Sequence, residues 1–235
     1  MTAGPTTLAP IAVALDSPDR ATALAWATET GPYVCAVKVG LELFVRYGRE
    51  VVSSARECSG RPVFLDLKLH DIPHTVAGAA KAVADLEPWI LTVHAAGGPA
   101  MIEAAAQAVP DTLIAAVTVL TSLGADDLAR VGLAGPPPEA VRRLAVLAVG
   151  SGARALVCSP QEVAMLRAEV GPDILLITPG VRPLGGTADD QARTATPEQA
   201  LADGADLLVV GRPITGAAVP AAAARSLAEI ISRRV

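Results

Sequence analysis

The sequence predicts an α/β fold, a (β/α)8 TIM barrel that forms a single domain over residues 1–235. Short apolar runs rich in β-branched residues alternate with longer alanine-rich amphipathic segments, which is typical of a parallel sheet covered by helices. Eight such pairs occur along the chain, and polar residues recur where the predicted strands end. Because the strand ends of a barrel meet at one mouth, these polar residues predict one shared site.

The predicted strands follow the apolar runs in chain order. They read IAVALD at 11–16, VCAVKVG at 34–40, VFLDLK at 63–68, WILTVHA at 89–95, LIAAVTVLT at 113–121, ALVCSP at 155–160, DILLITPG at 173–180 and LLVVGRPI at 207–214. The predicted helices are the intervening segments, at 19–29, 41–57, 75–86, 98–108, 138–150, 161–169, 196–203 and 217–233. An open doubly wound sheet would share this alternation, but the first strand is not followed by GxGxxG or by an acidic residue placed for a ribose. The barrel is therefore the favoured architecture.

Composition narrows the function classes. The net charge of −5 and the pI near 5.2 provide no overall basic field for nucleic acid or an anionic membrane. The N-terminal segment lacks a signal-peptide pattern, and no apolar run approaches the roughly 18 residues that span a bilayer. Cys35, Cys58 and Cys158 are odd in number and widely spaced, which indicates reduced thiols. These features predict a soluble, cytoplasmic protein.

The segment FLDLKLHDIPHT, residues 64–75, brings charged residues to the end of a buried strand. Asp66 and Lys68 are two positions apart, so they lie on the same face of a strand. Asp71 follows, and a helix begins at Ile72-Pro73, since proline is tolerated in the first turn. An ion pair with Asp71 as a helix cap is one interpretation, because structural ion pairs occur widely. Three charged groups at one strand end favour a reactive site.

The segment VVGRPI near the end of the chain has the residues that bind phosphate. Gly211 lets the main chain approach a ligand, and the guanidinium of Arg212 can bind two phosphate oxygens at once. Phosphate sites of such barrels commonly use the loops after strands seven and eight. The sequence therefore predicts a phosphate site here.

The stretch VFLDLKLHDIPHTV resembles the signature of the orotidine 5′-phosphate decarboxylase family, with its pattern D-x-K-x-x-D-I-P-x-T intact. Further segments occur in that family's order and resemble its bacterial branch: ALD at 14–16, VKVG at 37–40, VTVLTS at 117–122, TPGVRP at 178–183, DDQAR at 189–193 and VVGRPI at 209–214. The resemblance covers nearly the whole chain. It implies a lyase that decarboxylates orotidine 5′-monophosphate to UMP in de novo pyrimidine biosynthesis, without metal or organic cofactor.

The resemblance also implies a role for each polar residue at the strand ends. Lys68 corresponds to the proton donor to C6 of the pyrimidine, and Asp66 and Asp71 correspond to the carboxylates that hold its ammonium protonated and oriented. The implied substrate-binding residues are Asp16 and Lys38 at the ribose, Thr121 and Ser122 at the pyrimidine, and Arg182, Gly211 and Arg212 at the phosphate. A loop at 183–190 is implied to close over the phosphate, and Gln191 to bridge the phosphate and the base. Asp71 and Thr75 reach into the neighbouring subunit's site in relatives, so a homodimer with two shared active sites is implied.

Simpler interpretations exist for several of these residues when each is taken alone. Asp16 could belong to a cap of the first helix, Thr121-Ser122 could form a turn, and 183–190 could be a solvated loop. The three histidines have neither HxH nor HExxH spacing, so no metal site is predicted.

Two rival functions remain for the whole chain. One is a 3-keto-L-gulonate 6-phosphate decarboxylase or hexulose-phosphate synthase relative, which uses the same D-x-K-x-x-D frame with an enediolate held by Mg²⁺. The pyrimidine nucleotide is favoured instead by Pro73 and Thr75 after Asp71, together with the Thr121-Ser122, Arg182 and Gln191 stretches. The other is a barrel that binds a phosphorylated ligand without turnover, which would have no chemical need for Lys68 and both carboxylates.

Overall fold

A computed structural model of the chain describes residues 8–182 and 195–232. Its eight strands run parallel in chain order, and β8 pairs with β1 to close the barrel. The strands are β1 (Ala9–Ala14), β2 (Val34–Gly40), β3 (Val63–Leu69), β4 (Ile90–His94), β5 (Leu113–Val117), β6 (Ala155–Val157), β7 (Leu175–Thr178) and β8 (Leu207–Val210). The predicted (β/α)8 barrel is therefore confirmed. The extent of the domain over residues 1–235 stays a prediction.

Helices follow the strands and share a buried apolar core with their outward faces. The helices are α1 (Arg20–Thr30), α2 (Leu41–Tyr47), α3 (Arg49–Ser59), α4 (Pro73–Ala82), α5 (Pro99–Ala108), α6 (Ala125–Arg130), α7 (Pro137–Gly150), α8 (Val163–Val170), α9 (Pro197–Ala202), α10 (Arg212–Thr215) and α11 (Pro220–Ser232). Five of them begin at a proline, whose fixed φ suits the first helical position and whose missing N–H would have no helical partner there. Within the described ranges, no helix has the length and apolar character that crossing a membrane requires.

Several boundaries differ from the sequence prediction. The predicted helix 41–57 is two helices, because Gly48 adopts φ 64° between α2 and α3 and breaks the helical path. The fifth strand ends at Val117, not 121, and α6 follows it without having been predicted. The eighth strand ends at Val210, where Gly211 turns the chain into the short helix α10.

The barrel interior is closed by one side chain from each strand, and we call this set the floor layer. It consists of Ala12, Ala36, Phe64, Ile90, Ala115, Ala155, Ile177 and Leu207, all of them buried. Because strand side chains alternate between faces, the residue two positions further along also points inward. These next positions form the upper layer: Ala14, Lys38, Asp66, Thr92, Val117, Val157, Pro179 and Val209. The upper layer therefore lies directly above the floor, toward the carboxyl ends of the strands.

Candidate active site

A cavity of about 620 Å³ opens at the carboxyl ends of the strands, above the floor layer. Its volume is within the range usual for small-molecule sites. The predicted site residues that line it are Asp16, Lys38, Asp66, Lys68, Thr121, Arg182, Gly211 and Arg212. The barrel thus brings together residues that are separated by up to about 200 positions in the sequence, which is how barrel sites form.

Four charged side chains form an alternating array along one wall of the cavity. Lys38 Nζ lies 3.0 Å from Asp16 Oδ1 and 3.5 Å from Asp66 Oδ2. Lys68 Nζ lies 2.8 Å from both carboxylate oxygens of Asp66. Asp66 and Lys38 are buried, whereas Asp16 is exposed at the rim. Buried charges need such partners, because an unpaired ion loses its hydration without compensation.

The electrostatics keep Asp66 ionised. Burial by itself raises the pKa of the Asp66 carboxyl, but the ammonium groups of Lys38 and Lys68 and the hydrogen bonds from Lys68 and Thr92 outweigh burial. The net result is a pKa below its ordinary value. Asp66 is therefore a carboxylate at neutral pH.

The backbone at Lys68 is unusual for a strand residue. Lys68 has φ 49°, in the left-handed region, which costs a residue other than glycine about 1 kcal/mol. Its N–H donates to Thr92 Oγ1 at 2.8 Å, and the hydroxyl of Thr92 donates to Asp66 Oδ1 at 2.9 Å. Sequence reasoning missed Thr92, although it is the one polar residue inside the apolar run WILTV and lies two positions after a floor residue.

Gly40 is a second residue that sequence reasoning did not assign to the site. A Cβ at this position would lie 2.5 Å from Asp16 Oδ1 and 3.0 Å from Lys38 Nζ. Any side chain would therefore displace the ion pair between these two residues. The requirement is for space, since the φ of Gly40 is −87°, an ordinary value.

Two arginines lie on the β7 and β8 side of the cavity. Arg182 follows β7, and its Nη1 donates a hydrogen bond to the carbonyl oxygen of Val181 at an N–O distance of 3.1 Å. Arg212 is exposed at the start of α10 and lines the same cavity. A Cβ on Gly211 would contact only Ala14 Cβ among the described residues, at an ordinary distance of 3.6 Å. Packing within the described residues therefore does not require a glycine at this position.

Comparison with known proteins assigns the chain to a family. Residues 9–227 match the family model described as Orotidine 5′-phosphate decarboxylase / HUMPS family. The chain belongs to this family. An orotidine 5′-phosphate decarboxylase of Thermobifida fusca (strain YX) is 66% identical over 220 residues, which cover 94% of each chain. The resemblance inferred from the D-x-K-x-x-D-I-P-x-T segment is thereby confirmed.

Other members of the orotidine 5′-phosphate decarboxylase / HUMPS family agree with this assignment. An orotidine 5′-phosphate decarboxylase of Frankia casuarinae is 56% identical over 241 residues, and the match covers 95% of this chain and 88% of the relative. The crystal structure of orotidine 5′-phosphate decarboxylase from Lactobacillus acidophilus superposes with a TM-score of 0.80 at 37% identity, and the match covers 96% of this chain and 98% of that chain. The fold and nearly the whole chain length are therefore shared.

Not every predicted site residue of this family member lines the cavity of a single chain. Asp71, Thr75 and Ser122 are exposed and are not among the residues that line it. One carboxylate oxygen of Asp71 accepts the N–H of Ile72 at 2.6 Å. Gln191 and the predicted loop 183–190 lie outside the described residues. The single chain brings Lys68 to Asp66, and the predicted contact with Asp71 stays a prediction about the dimer.

The histidines near the mouth form a ring pair. The ring centroids of His70 and His94 are 5.3 Å apart with an interplanar angle of 37°. Burial, followed by the nearby His70 and Lys68, lowers the pKa of His94. Across residues 8–182 and 195–232, no group of three or more His, Cys, Asp or Glu side chains is arranged to hold a metal ion.

Proposed function

We propose that the chain is a carboxy-lyase that converts orotidine 5′-monophosphate to UMP and CO2 in de novo pyrimidine biosynthesis. The observation that carries this proposal is the contact of Lys68 Nζ with both oxygens of Asp66 at 2.8 Å, in a cavity that also holds two arginines. The family, and the curated relatives named orotidine 5′-phosphate decarboxylase, support the same substrate.

The reaction demands electrostatic stabilisation. When the C6 carboxylate leaves, its electron pair occupies an sp² orbital in the plane of the ring, so the π system cannot delocalise it. An enzyme can lower this barrier with a fixed positive charge beside C6, because such a charge interacts more strongly with the transition state than with the substrate. The ammonium of Lys68, held in place by Asp66, is suited to this role.

The atoms balance with Lys68 as the proton donor. The bond between C6 and the carboxylate carbon breaks, CO2 departs and the electron pair stays on C6. Lys68 Nζ then transfers a proton to C6, which gives UMP and a neutral amine that regains its proton from solvent. Asp66 would lie close to the substrate carboxylate, and their mutual repulsion is relieved as CO2 forms. No metal or organic cofactor takes part in this proposal.

The other cavity residues are proposed to bind the nucleotide. Arg182 and Arg212 are suited to the phosphate, because guanidinium groups make paired charge-assisted hydrogen bonds to its oxygens. Asp16 at the rim and the buried Lys38 paired with it are suited to the ribose hydroxyls, and Thr121 is suited to the pyrimidine. Phosphate binding energy would then help to hold C6 against Lys68.

The proposal includes a homodimer that completes each site with Asp71 and Thr75 of the neighbouring subunit. Exposed apolar side chains near these residues support it: Leu41, Val45 and Ile72 are each more than half exposed, and α2 packs against β3. Exposed apolar surface of this kind is typical of protein interfaces. A cytoplasmic location stays a prediction.

Mixed dimers test the shared site. Lys68→Ala and Asp71→Ala are each expected to be inactive when pure. If they are unfolded together and refolded as a mixture, each heterodimer contains one site with both native residues, so activity should return. A mixture that stays inactive, although heterodimers are detected by mass, would exclude a shared site.

The main rival is a Mg²⁺-dependent sugar-phosphate reaction in the same family. The direct test is the ultraviolet absorbance change on mixing the purified protein with orotidine 5′-monophosphate in excess EDTA. We expect full turnover with EDTA present and no gain on adding Mg²⁺. Activity that appears only after Mg²⁺ is added, or no turnover of this nucleotide at all, would contradict the proposal.

A further inference from the structure

The pairing between β3 and β4 contains a bulge where the charged residues begin. Leu65 pairs with Leu91, but the next pair is Leu69 with Val93. Residues 66–68 of β3 therefore face the single residue Thr92 of β4. Bulges of this kind redirect side chains and occur often next to active sites.

The bulge gives Lys68 its unusual backbone. With φ 49°, Lys68 leaves the extended conformation that its neighbours in β3 keep. Such a conformation persists only when surrounding contacts hold it. One contact that holds the backbone of Lys68 is the hydrogen bond from its N–H to Thr92 Oγ1.

The hydroxyl of Thr92 has two partners, and they fix its direction. It accepts from the backbone of Lys68 at 2.8 Å and donates to the Asp66 carboxylate at 2.9 Å. Thr92 is fully buried, so water does not replace either bond. One hydroxyl therefore joins the backbone that carries the ammonium to the carboxylate that orients it.

We propose that Thr92 is a positioning residue, which holds the left-handed backbone of Lys68 and the carboxylate of Asp66 in the geometry needed for proton transfer. This inference rests on the proposed role of Lys68 as proton donor. Thr92 itself does not line the cavity, so it acts through Lys68 and Asp66 and not on the substrate.

The chain offers matched variants for a test. Thr92→Val keeps the shape of the side chain and removes the hydroxyl, whereas Thr92→Ser keeps the hydroxyl. The control is Thr112→Val, since Thr112 is also buried and its hydroxyl donates a single hydrogen bond, to the carbonyl of Pro88 at 3.0 Å. Thr112 lies just before β5, at the opposite end of the barrel from the cavity.

The experiment measures kcat and KM for orotidine 5′-monophosphate, the Kd for UMP and the folded fraction of each variant. We expect Thr92→Val to lower kcat by about 10²-fold, because a displacement of about 1 Å in a reacting group has an effect of this size. KM and the Kd for UMP should stay close to the wild-type values, since the phosphate and ribose contacts are unchanged. Thr92→Ser should recover most of kcat, and Thr112→Val should retain it.

Three outcomes would overturn the inference: an unchanged kcat in Thr92→Val, an equal loss in Thr92→Ser, or a loss of UMP binding that parallels the loss of kcat. If Thr92→Val does not fold, Thr92→Ala takes its place against Thr92→Ser. Wild-type protein that fails to decarboxylate orotidine 5′-monophosphate would instead refute the proposed function. In that case crystal structures of the variants would test the positioning role of Thr92 independently of the proposed function. Lys68 Nζ should move away from Asp66 in Thr92→Val and keep its position in Thr92→Ser. An unmoved Lys68 in Thr92→Val would refute the inference.

Discussion

The two halves of the upper layer share one geometry and differ in chemistry. Strands β1 to β4 contribute Ala14, Lys38, Asp66 and Thr92. The corresponding positions on the β5 to β8 side are Val117, Val157, Pro179 just after β7, and Val209. The floor layer below shows no such division, because all eight of its side chains are apolar. The comparison teaches that the fold itself does not require charge in the barrel, so the polar half is there for the site.

The apolar half also affects the charges that face it. A wall of valine and proline offers no hydrogen bonds and few dipoles, so charges opposite it interact more strongly than they would in water. The polar half supplies the charges, and the apolar half determines the medium in which they act. Changes that remove charge from one half, or add polarity to the other, test this division.

The largest effect is expected when the polar half loses its reacting cation. Lys68→Ala should lower kcat by about 10⁵-fold, because it removes both the acid and the charge that stabilises C6. Binding of UMP should remain measurable, since the proposed phosphate and ribose contacts are intact. The absorbance assay and a UMP titration measure these effects, and the exposed Lys81→Ala on α4 is the control. Decarboxylation at a rate comparable to wild type would remove Lys68 from the proposed role.

The second prediction concerns the free energy of unfolding when the polar half loses its buried carboxylate, Asp66. Asp66→Asn leaves Lys38 buried beside Lys68 without their shared carboxylate, and should lower the free energy of unfolding at neutral pH by about 3 kcal/mol. Because the folded pKa of Asp66 lies below the ordinary 3.8, its contribution is complete above that pH and is lost as the pH falls through the folded pKa. Urea unfolding of both proteins across this range should show the difference shrinking toward acid pH.

The control for Asp66→Asn is Asp85→Asn, which removes an exposed carboxylate paired with Arg49. Little change in stability is expected there, because solvent screens such a pair. Equal effects of the two substitutions would mean that burial of the charged array does not matter for stability.

The third prediction concerns ligand affinity at the rim above the apolar half, where Arg182 and Arg212 lie. Arg212→Ala should weaken binding of UMP by about 10²-fold, the loss expected for a pair of charge-assisted hydrogen bonds. Binding of uridine, which has no phosphate, should change little. Calorimetry of both ligands measures this difference, with the exposed Arg225→Ala on α11 as the control. An equal loss for UMP and uridine would exclude Arg212 from the phosphate site.

The smallest effect is expected when polarity is added to the apolar half. Val117→Thr keeps the side-chain shape and buries a hydroxyl, at a cost of about 1.5 kcal/mol in the free energy of unfolding. The rate should change far less than in Thr92→Val, because the hydrogen bonds that hold Lys68 are made with Asp66 and Thr92 of the other half. A matched control is Val141→Thr, at a buried position of α7 away from the cavity. A fall in kcat as large as that of Thr92→Val would show that both halves control the reacting groups alike.

Much of this arrangement could be predicted from the sequence because it depends on local patterns. Strand periodicity identified all eight strands, and the shared mouth of a barrel then grouped Asp16, Lys38, Asp66 and Arg212 at one site. The spacing of Asp66 and Lys68 predicted that they share a face, and the structure brings them together.

The remainder depends on relations that a single strand does not reveal. The bulge at residues 66–68 arises from the register between β3 and β4, and nothing in the sequence of β3 alone indicates that Lys68 has a positive φ. Thr92 matters because of the residues it faces across that register. The break at Gly48 was missed because a lone glycine is tolerated within a helical pattern, and its φ decides whether the helix continues.

The floor layer also has a consequence for the motions of the molecule. Because every strand contributes one side chain to the floor layer, no strand can separate without opening the centre of the barrel. The amide hydrogens of the strands at this level should therefore exchange with solvent mainly through global unfolding. Asp66 lies two positions, and Lys68 four positions, beyond Phe64 of this layer. Local opening beneath Asp66 and Lys68 is therefore expected to be rare, so the base on which the proposed chemistry depends stays fixed.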